Sequence, residues 1–200
     1  MNAAARVAPA VARNRAAIAA VLRTWLRQPG SVLELASGSG EHGVYFCTEM
    51  PDLTWQPTDR DADALASIEA WRAQAGPANL LAPLRLDATE TKWPIAQADA
   101  VVAINMIHIA PWAATLGLMA GAARVLPAGG VLFLYGPFLE AGVATAPSNL
   151  AFDASLRGRD AAWGIRSLPE ISKAAADHGL ELAARVAMPA NNLSLVLRKI

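Results

Sequence analysis

The stretch Val32-Leu33-Glu34-Leu35-Ala36-Ser37-Gly38-Ser39-Gly40-Glu41-His42-Gly43 constrains the fold more than any other part of this 200-residue chain. An apolar run passes straight into a glycine-rich turn and then into residues of helical character. A strand that ends this way feeds a helix whose first N–H groups, with close backbone approach, hold a ligand at the edge of a parallel sheet. Gly38, Gly40 and Gly43 satisfy the G-x-G-x-x-G spacing of dinucleotide-binding turns. Glu34, inside the strand end beside the loop, argues for a different ligand.

The rest of the chain alternates strand and helix around that unit. Ser31–Ala36 reads as strand and Glu41–Met50 as helix. Thr54–Thr58 is a short strand despite Pro57. Asp61–Gln74 is a helix with Asp61 as N-cap, stopped by Gly76-Pro77. Leu84–Leu86 is a strand, followed by irregular chain over 87–97. Ala98–Asn105 is an unbroken apolar strand, as expected where both faces are covered. A helix runs from Pro111 to Leu126, and Val131–Tyr135 is the next buried strand. This is a doubly wound α/β pattern. Residues 136–167 break it: the stretch is long, rich in Arg, Asp, Gly and Pro, without clear periodicity, and such insertions are often functional. Pro169–His178 returns as helix. Strands Leu180–Ala187 and Leu193–Arg198 are joined by a link too short for a parallel crossover, so the last strand runs antiparallel.

Composition narrows the function classes. Lys plus Arg equals Asp plus Glu at 17 each, so the chain lacks the basic field of a nucleic-acid binder. No apolar run approaches the ~18–20 residues that span a membrane. The one cysteine, Cys47, sits in an apolar helical run; it reads as a core thiol and fits the reducing cytoplasm. The first 26 residues carry Arg6, Arg13, Arg15 and Arg23 and no acid, which is also the composition of a transit peptide. Ile18, Val21, Leu22, Trp25 and Leu26, however, share one helical face. Residues 1–30 therefore read as the first helix of a single domain over 1–200, with Arg13 and Asn14 placed to fold over the site as a lid.

The choice of ligand turns on charge. A pyrophosphate would suit the loop N–H groups, but a like charge about 4 Å away costs about 4 kcal/mol at an effective dielectric of 20. The Glu34 carboxylate instead attracts a cation. S-adenosylmethionine carries an ammonium, a sulfonium and a carboxylate, and is favoured over NAD. Asp59, 21 residues after Gly38, is placed to accept from both ribose hydroxyls; Asp61 would serve if the register is off by two, and the alternative for either is to cap the next helix. Asp87 with the Ala88 N–H would meet the adenine edge. Ser37, Gly38 and Gly40 line the loop. His42, in the first helical turn, is placed to touch the cofactor carboxylate or the acceptor.

These residues resemble the first motif of the class I S-adenosylmethionine-dependent methyltransferases, and the resemblance spans almost the whole chain. Glu34 through Gly40 matches E/D-x-G-x-G-x-G except that Ala36 stands where the first glycine usually is. Arg124-Val125-Leu126-Pro127-Ala128-Gly129-Gly130 is similar to the turn before that family's fifth strand. The resemblance implies a Rossmann-like seven-stranded sheet, mostly parallel with an antiparallel last strand. A narrower similarity runs through Ala12-Arg13-Asn14-Arg15, Ala36 to His42, Ile104-Asn105-Met106-Ile107-His108-Ile109 and Trp163-Gly164-Ile165-Arg166. It points to a methyltransferase-like family catalogued as a domain of unknown function, which implies a fold and a cofactor but no substrate.

Acceptor groups are expected at the end of the fourth strand and in the insertion. Asn105 and the backbone at Met106 would hold the methionine end of the cofactor. The segment is not the N-P-P-Y of many adenine or glutamine methyltransferases. His108 is the best general-base candidate, because its ordinary pKa lies near neutrality; a core or capping role is the alternative. Tyr135, at the end of the fifth strand, and Asp153 are the other catalytic candidates. Asn149, Asp153 and Arg157 fall at i, i+4 spacing, and with Trp163 and Arg166 would bind a small polar or anionic acceptor. Arg13 would pair with a carboxylate of cofactor or substrate. No His/Cys/carboxylate cluster has metal-ligand spacing, and no metal is expected. The expected activity is methyl transfer to a small molecule. A non-catalytic binding or interaction module on the same fold is the alternative, and an NAD-dependent oxidoreductase is the third.

Overall fold

The computed structural model describes residues 5–200. Its elements in chain order are α1 (Pro9–Trp25), β1 (Gly30–Leu35), α2 (Glu41–Glu49), β2 (Leu53–Asp59), α3 (Ala62–Ala75), β3 (Leu84–Arg85), β4 (Ala100–Ile104), α4 (Trp112–Val125), β5 (Val131–Gly136), β6 (Phe138–Leu139), α5 (Pro147–Arg159), β7 (Arg166–Ser167), α6 (Leu168–Ala176), β8 (Leu180–Met188) and β9 (Asn192–Lys199). Seven strands form one sheet in the order β3-β2-β1-β4-β5-β9-β8, and β6 pairs with β7 beside it. Strands β1 to β5 are parallel, while β9 is antiparallel to both β5 and β8. The order reverses between β1 and β4, and the crevice at such a switch point is where ligands bind. This is the class I methyltransferase fold; the antiparallel β9 separates it from an all-parallel dinucleotide-binding sheet.

Two apolar layers cover the sheet because its central strands are apolar on both faces. Ile18 and Leu22 of α1 and Phe46 and Cys47 of α2 pack on Val32, Val102 and Phe133. Leu118 and Met119 of α4 and Ile171 of α6 pack on Leu33, Val101 and Leu132. Pro57 is tolerated in β2 because its missing N–H falls on the β3 side, in the gap between the Trp55–Leu80 bridge and the pairing with β3 that starts at Thr58. Asp61 caps α3 as expected, accepting from the Asp63 N–H at 3.0 Å.

Two expectations change. The insertion is not irregular: it holds the 13-residue α5. Its inner face is Asn149, Asp153 and Leu156, at i, i+4 and i+7, so polar residues occupy positions that an apolar stripe normally marks. Leu150 and Phe152 meanwhile lie exposed, which scrambles the hydrophobic period. At the other end, α1 is a fixed wall and not a loose cover, since Ile18, Ala19 and Leu22 are wholly buried. Residues 5–8 run extended along α3: the Arg6 N–H donates to Ser67 Oγ at 2.8 Å, Trp71 Nε1 donates to the Arg6 carbonyl at 2.8 Å, and the Ala8 N–H donates to Glu41. Residues 1–4 of the expected N-terminal element lie outside the described residues. Among the described residues no helix is long and apolar enough to cross a membrane.

Candidate functional site

The turn after β1 is bound to β2 at three points. The Ser37 N–H donates to the Thr58 carbonyl at 2.9 Å, the Thr58 N–H donates to Ser37 Oγ at 3.1 Å, and Thr58 Oγ1 donates to the Glu34 carbonyl at 2.7 Å. Ala36 takes φ +53°, so the left-handed backbone usually met by glycine is kept here by an alanine, at a cost of about 1–2 kcal/mol. Gly40 begins α2 at φ +92°, and a Cβ there would lie 2.8 Å from the Ile68 Cα of α3. Only glycine fits that crossing. Asp59, ending β2, accepts from the Gly38 N–H through one oxygen and the Asp61 N–H through the other, both at 3.0 Å. Capping α3 is thus the work of Asp61, and Asp59 is held beside the glycine loop.

Glu34 lies at the end of β1, next to the loop. It is buried on the α1/α2 side of β1 and accepts from Trp55 Nε1 at 2.9 Å. Burial pushes its carboxyl up to about 7, against the pull of the Trp55 and Ser37 hydrogen bonds. A carboxyl raised this far by burial is a weaker filter against pyrophosphate than a fixed charge would be. Cys47 is the buried thiol expected, pushed up to about 12 by burial and then by Glu34.

His42 is buried and stacks on Phe46 with ring centroids 5.3 Å apart. Burial, then Arg15, brings it down to about 4. The ring is therefore neutral at pH 7, and its Nε2 donates to Asn14 Oδ1 at 2.9 Å. This bond ties α1 to α2 at the loop.

A cavity of about 500 Å³ opens next to this junction. One wall is Arg13 and Asn14 of α1; its floor is Asn105 and His108 after β4 and Tyr135 of β5. Phe152 and Asn149 of α5 face it, and Pro189 to Asn192 close it from the β8–β9 tip. The antiparallel β9 is what brings that tip to the carboxyl edge. Burial raises the Tyr135 phenol above its usual range, with the side chains of Asn14 and Asn192 pulling it back. Asn105 holds φ +54°. His108 is wholly buried, brought down to about 3 by burial and then by Arg166. Its ring lies against Gly136, where a Cβ would meet Nε2 at 2.2 Å.

The structure brings some predicted residues together and separates others. Ser37, Gly38, Gly40 and Asp59 converge, and Asn14, Asn105, His108, Tyr135 and Asn149 share the neighbouring cavity. Arg13 belongs to that cavity and not to the glycine loop. Asp87 lies beyond β3, where it accepts from the Thr89 N–H at 2.9 Å and pairs with Arg60 at 3.3 Å. The side chains of Ala88 and Met106 are buried in the core, while the part expected to act is the backbone of each. Asp153, Arg157, Trp163 and Arg166 do not line the cavity. Asp153 accepts from the Ile165 N–H at 2.7 Å and from Arg157 Nε at 2.8 Å, which clamps the loop after α5. Arg166 donates to the carbonyls of Ile107 at 3.0 Å and Ala110 at 2.5 Å. Trp163 stacks under Arg159. Sequence reasoning missed Ile109, Pro137, Pro189, Ala190 and Asn192. The one available signal was Asn191-Asn192 in the last turn, which reads equally well as turn chemistry. Among the described residues no group of three His, Cys, Asp or Glu side chains is placed to hold a metal.

Residues 5–199 match the family model described as Protein of unknown function (DUF938). Among solved structures, an O-methyltransferase family 2 protein from Planctomyces limnophilus in complex with apigenin is similar at 20% identity and TM-score 0.75, over 86% of this chain and 50% of that one. An O-methyltransferase family protein from Burkholderia thailandensis shares 17% identity at TM-score 0.77, over 95% and 57%. PigF with SAH shares 16% at TM-score 0.79, over 94% and 57%. The chain thus spans about half the length of these proteins, and at such identity the likeness concerns the fold. With nearly the whole chain matched and the expected sheet in place, the protein belongs to the DUF938 family, built on the class I methyltransferase fold.

Proposed function

We propose that this chain transfers a methyl group from S-adenosylmethionine to a small-molecule acceptor. The observation that carries the reading is the junction of Asp59 with the Gly38 N–H, at the switch point and beside a largely apolar cavity. Asp59 would take the ribose hydroxyls, the loop from Ser37 to Gly40 would receive the amino-acid moiety, and Asn105 would bridge to the acceptor. The bound cofactor supplies an electrophilic sulfonium methyl. The chain's own contribution is then alignment and exclusion of water, the usual sources of rate in a displacement of this kind. His108 and Tyr135 face the acceptor. We place the reaction in the cytoplasm, with a single domain performing it; the lone buried thiol supports the first.

Calorimetric titration of S-adenosylhomocysteine tests the reading. Wild type binds, and Asp59→Ala weakens binding by about thirtyfold or more, since two backbone donors and the ribose lose their acceptor together. Tight NAD binding with no response to S-adenosylhomocysteine would overturn it. A non-catalytic binding module is the second reading, favoured by one observation: His108 is wholly buried with Gly136 packed against its ring, which lowers its basicity. Cofactor binding without turnover on any acceptor supports that one.

A further inference from the structure

We propose that the cavity at the ends of β4 and β5 takes an acceptor that presents a hydroxyl to His108 on a flat apolar body and carries no positive charge. This rests on the methyl-transfer reading above.

The first observation is an unmet need. A neutral imidazole offers one N–H donor and one nitrogen acceptor. In His108 both are buried and neither has a partner among the described residues. Buried polar atoms are almost always paired, and an orphan in a native site calls for a ligand or a water. The ring is also held in place. The Gly164 N–H donates to the His108 carbonyl at 3.0 Å, Arg166 grips the carbonyls of Ile107 and Ala110, and Phe138 packs on the ring edge-on at 5.2 Å. A hydroxyl both donates and accepts, so it satisfies whichever nitrogen it meets. An ammonium only donates, and an apolar group leaves both nitrogens orphaned.

The second observation is charge. The cavity lining contains no Asp, Glu or Lys, and Arg13 is its one charged side chain. Nearby carboxylates are already occupied: Glu140 binds Arg185 at 2.6 and 2.8 Å, and Asp153 binds Arg157 at 2.8 Å. Arg13 has no ion-pair partner among the described residues. A cationic acceptor would be desolvated with nothing to balance it. The third observation is shape: Ile109, Pro137, Phe152 and Pro189 supply apolar walls.

Three probes on one skeleton test this with the wild-type chain, by calorimetry with and without S-adenosylhomocysteine: 4-hydroxyphenylacetate, phenylacetate and tyramine. The first should bind, and the other two should bind at least about tenfold more weakly, for want of the hydroxyl and for the added positive charge respectively. Tyramine binding as well as 4-hydroxyphenylacetate, phenylacetate binding as well, or none of the three binding at millimolar concentration would each overturn the proposal. A chain that binds 4-hydroxyphenylacetate selectively but not S-adenosylhomocysteine keeps the cavity's chemistry and loses the methyl-transfer reading. A chain that binds S-adenosylhomocysteine and shows no selectivity does the reverse.

Discussion

Replacing Glu34 by Gln should change how the stability of this protein depends on pH. The Glu34 carboxyl stands at about 7 in the folded chain against 4.5 when exposed, with burial as the main cause. A raised carboxyl favours the protonated folded state. Its contribution is fully present below pH 4.5 and is lost as pH rises toward 7. At about 1.4 kcal/mol per pH unit, the charged form is penalised by about 3 kcal/mol, of which about 2.5 kcal/mol is lost between pH 5 and pH 8. Glutamine is nearly isosteric, and its carbonyl still accepts from Trp55 Nε1. Urea unfolding of wild type and Glu34→Gln at pH 5, 6, 7 and 8 measures the effect. The two proteins should have similar stability at pH 5, and the variant should gain about 2.5 kcal/mol relative to wild type by pH 8. Taking the difference cancels the opposite slope of His42 and His108, which are buried neutral and lose stability as pH falls below 6.5. A stability difference that moves by less than about 0.5 kcal/mol across the range refutes the reasoning, because Glu34 would then ionise as freely folded as unfolded.

Three substitutions separate scaffold from site. Gly40→Ala forces a Cβ to 2.8 Å from the Ile68 Cα at φ +92°, so thermal unfolding should show a loss of about 2–4 kcal/mol, with S-adenosylhomocysteine binding falling in parallel; an unchanged melting curve contradicts the close crossing. Gly136→Ala would push a Cβ into the His108 ring, and should abolish selective binding of 4-hydroxyphenylacetate while leaving S-adenosylhomocysteine affinity within about threefold. Equal loss of both would mean that the ring also supports the cofactor loop. Asp153→Ala removes the clamp on Ile165 and Arg157, and should cost about 1–2 kcal/mol in urea with turnover within about threefold, since it lies outside the cavity. A hundredfold drop in turnover would restore Asp153 to the chemistry.

The elements most legible in the sequence were those set by short-range rules. The β1 turn was readable because each glycine meets a local backbone demand, and Asp61 because a cap needs only the N–H two residues ahead. The antiparallel β9 followed from the shortness of the link at 188–192. Helix α5 was not legible, because Asn149 and Asp153 occupy the inward positions where apolar side chains normally signal a helix. Glu34 was legible as a carboxyl at the strand end, but its burial was not. The alternation of side chains along β1 sets it among apolar neighbours, where it accepts from Trp55 Nε1.

The cavity shows the same division most sharply. His108, Tyr135 and Asn149 were each picked out as polar groups at suggestive places, but so were Arg157, Trp163 and Arg166, which the fold uses to hold loops. Nothing local separates a guanidinium that grips carbonyls, as Arg166 does, from one that lines a cavity, as Arg13 does. The sheet, the glycine turn and the position of Asp59 beside it were readable from the chain alone, because they depend on backbone conformation and on apolar runs buried from both sides. Which polar side chains share one cavity depended on the folded arrangement. Asn14, Asn105, Tyr135, Asn149 and Asn192 come from five distant segments and meet only because the parallel strands and the reversed β9 bring their ends to the same edge of the sheet.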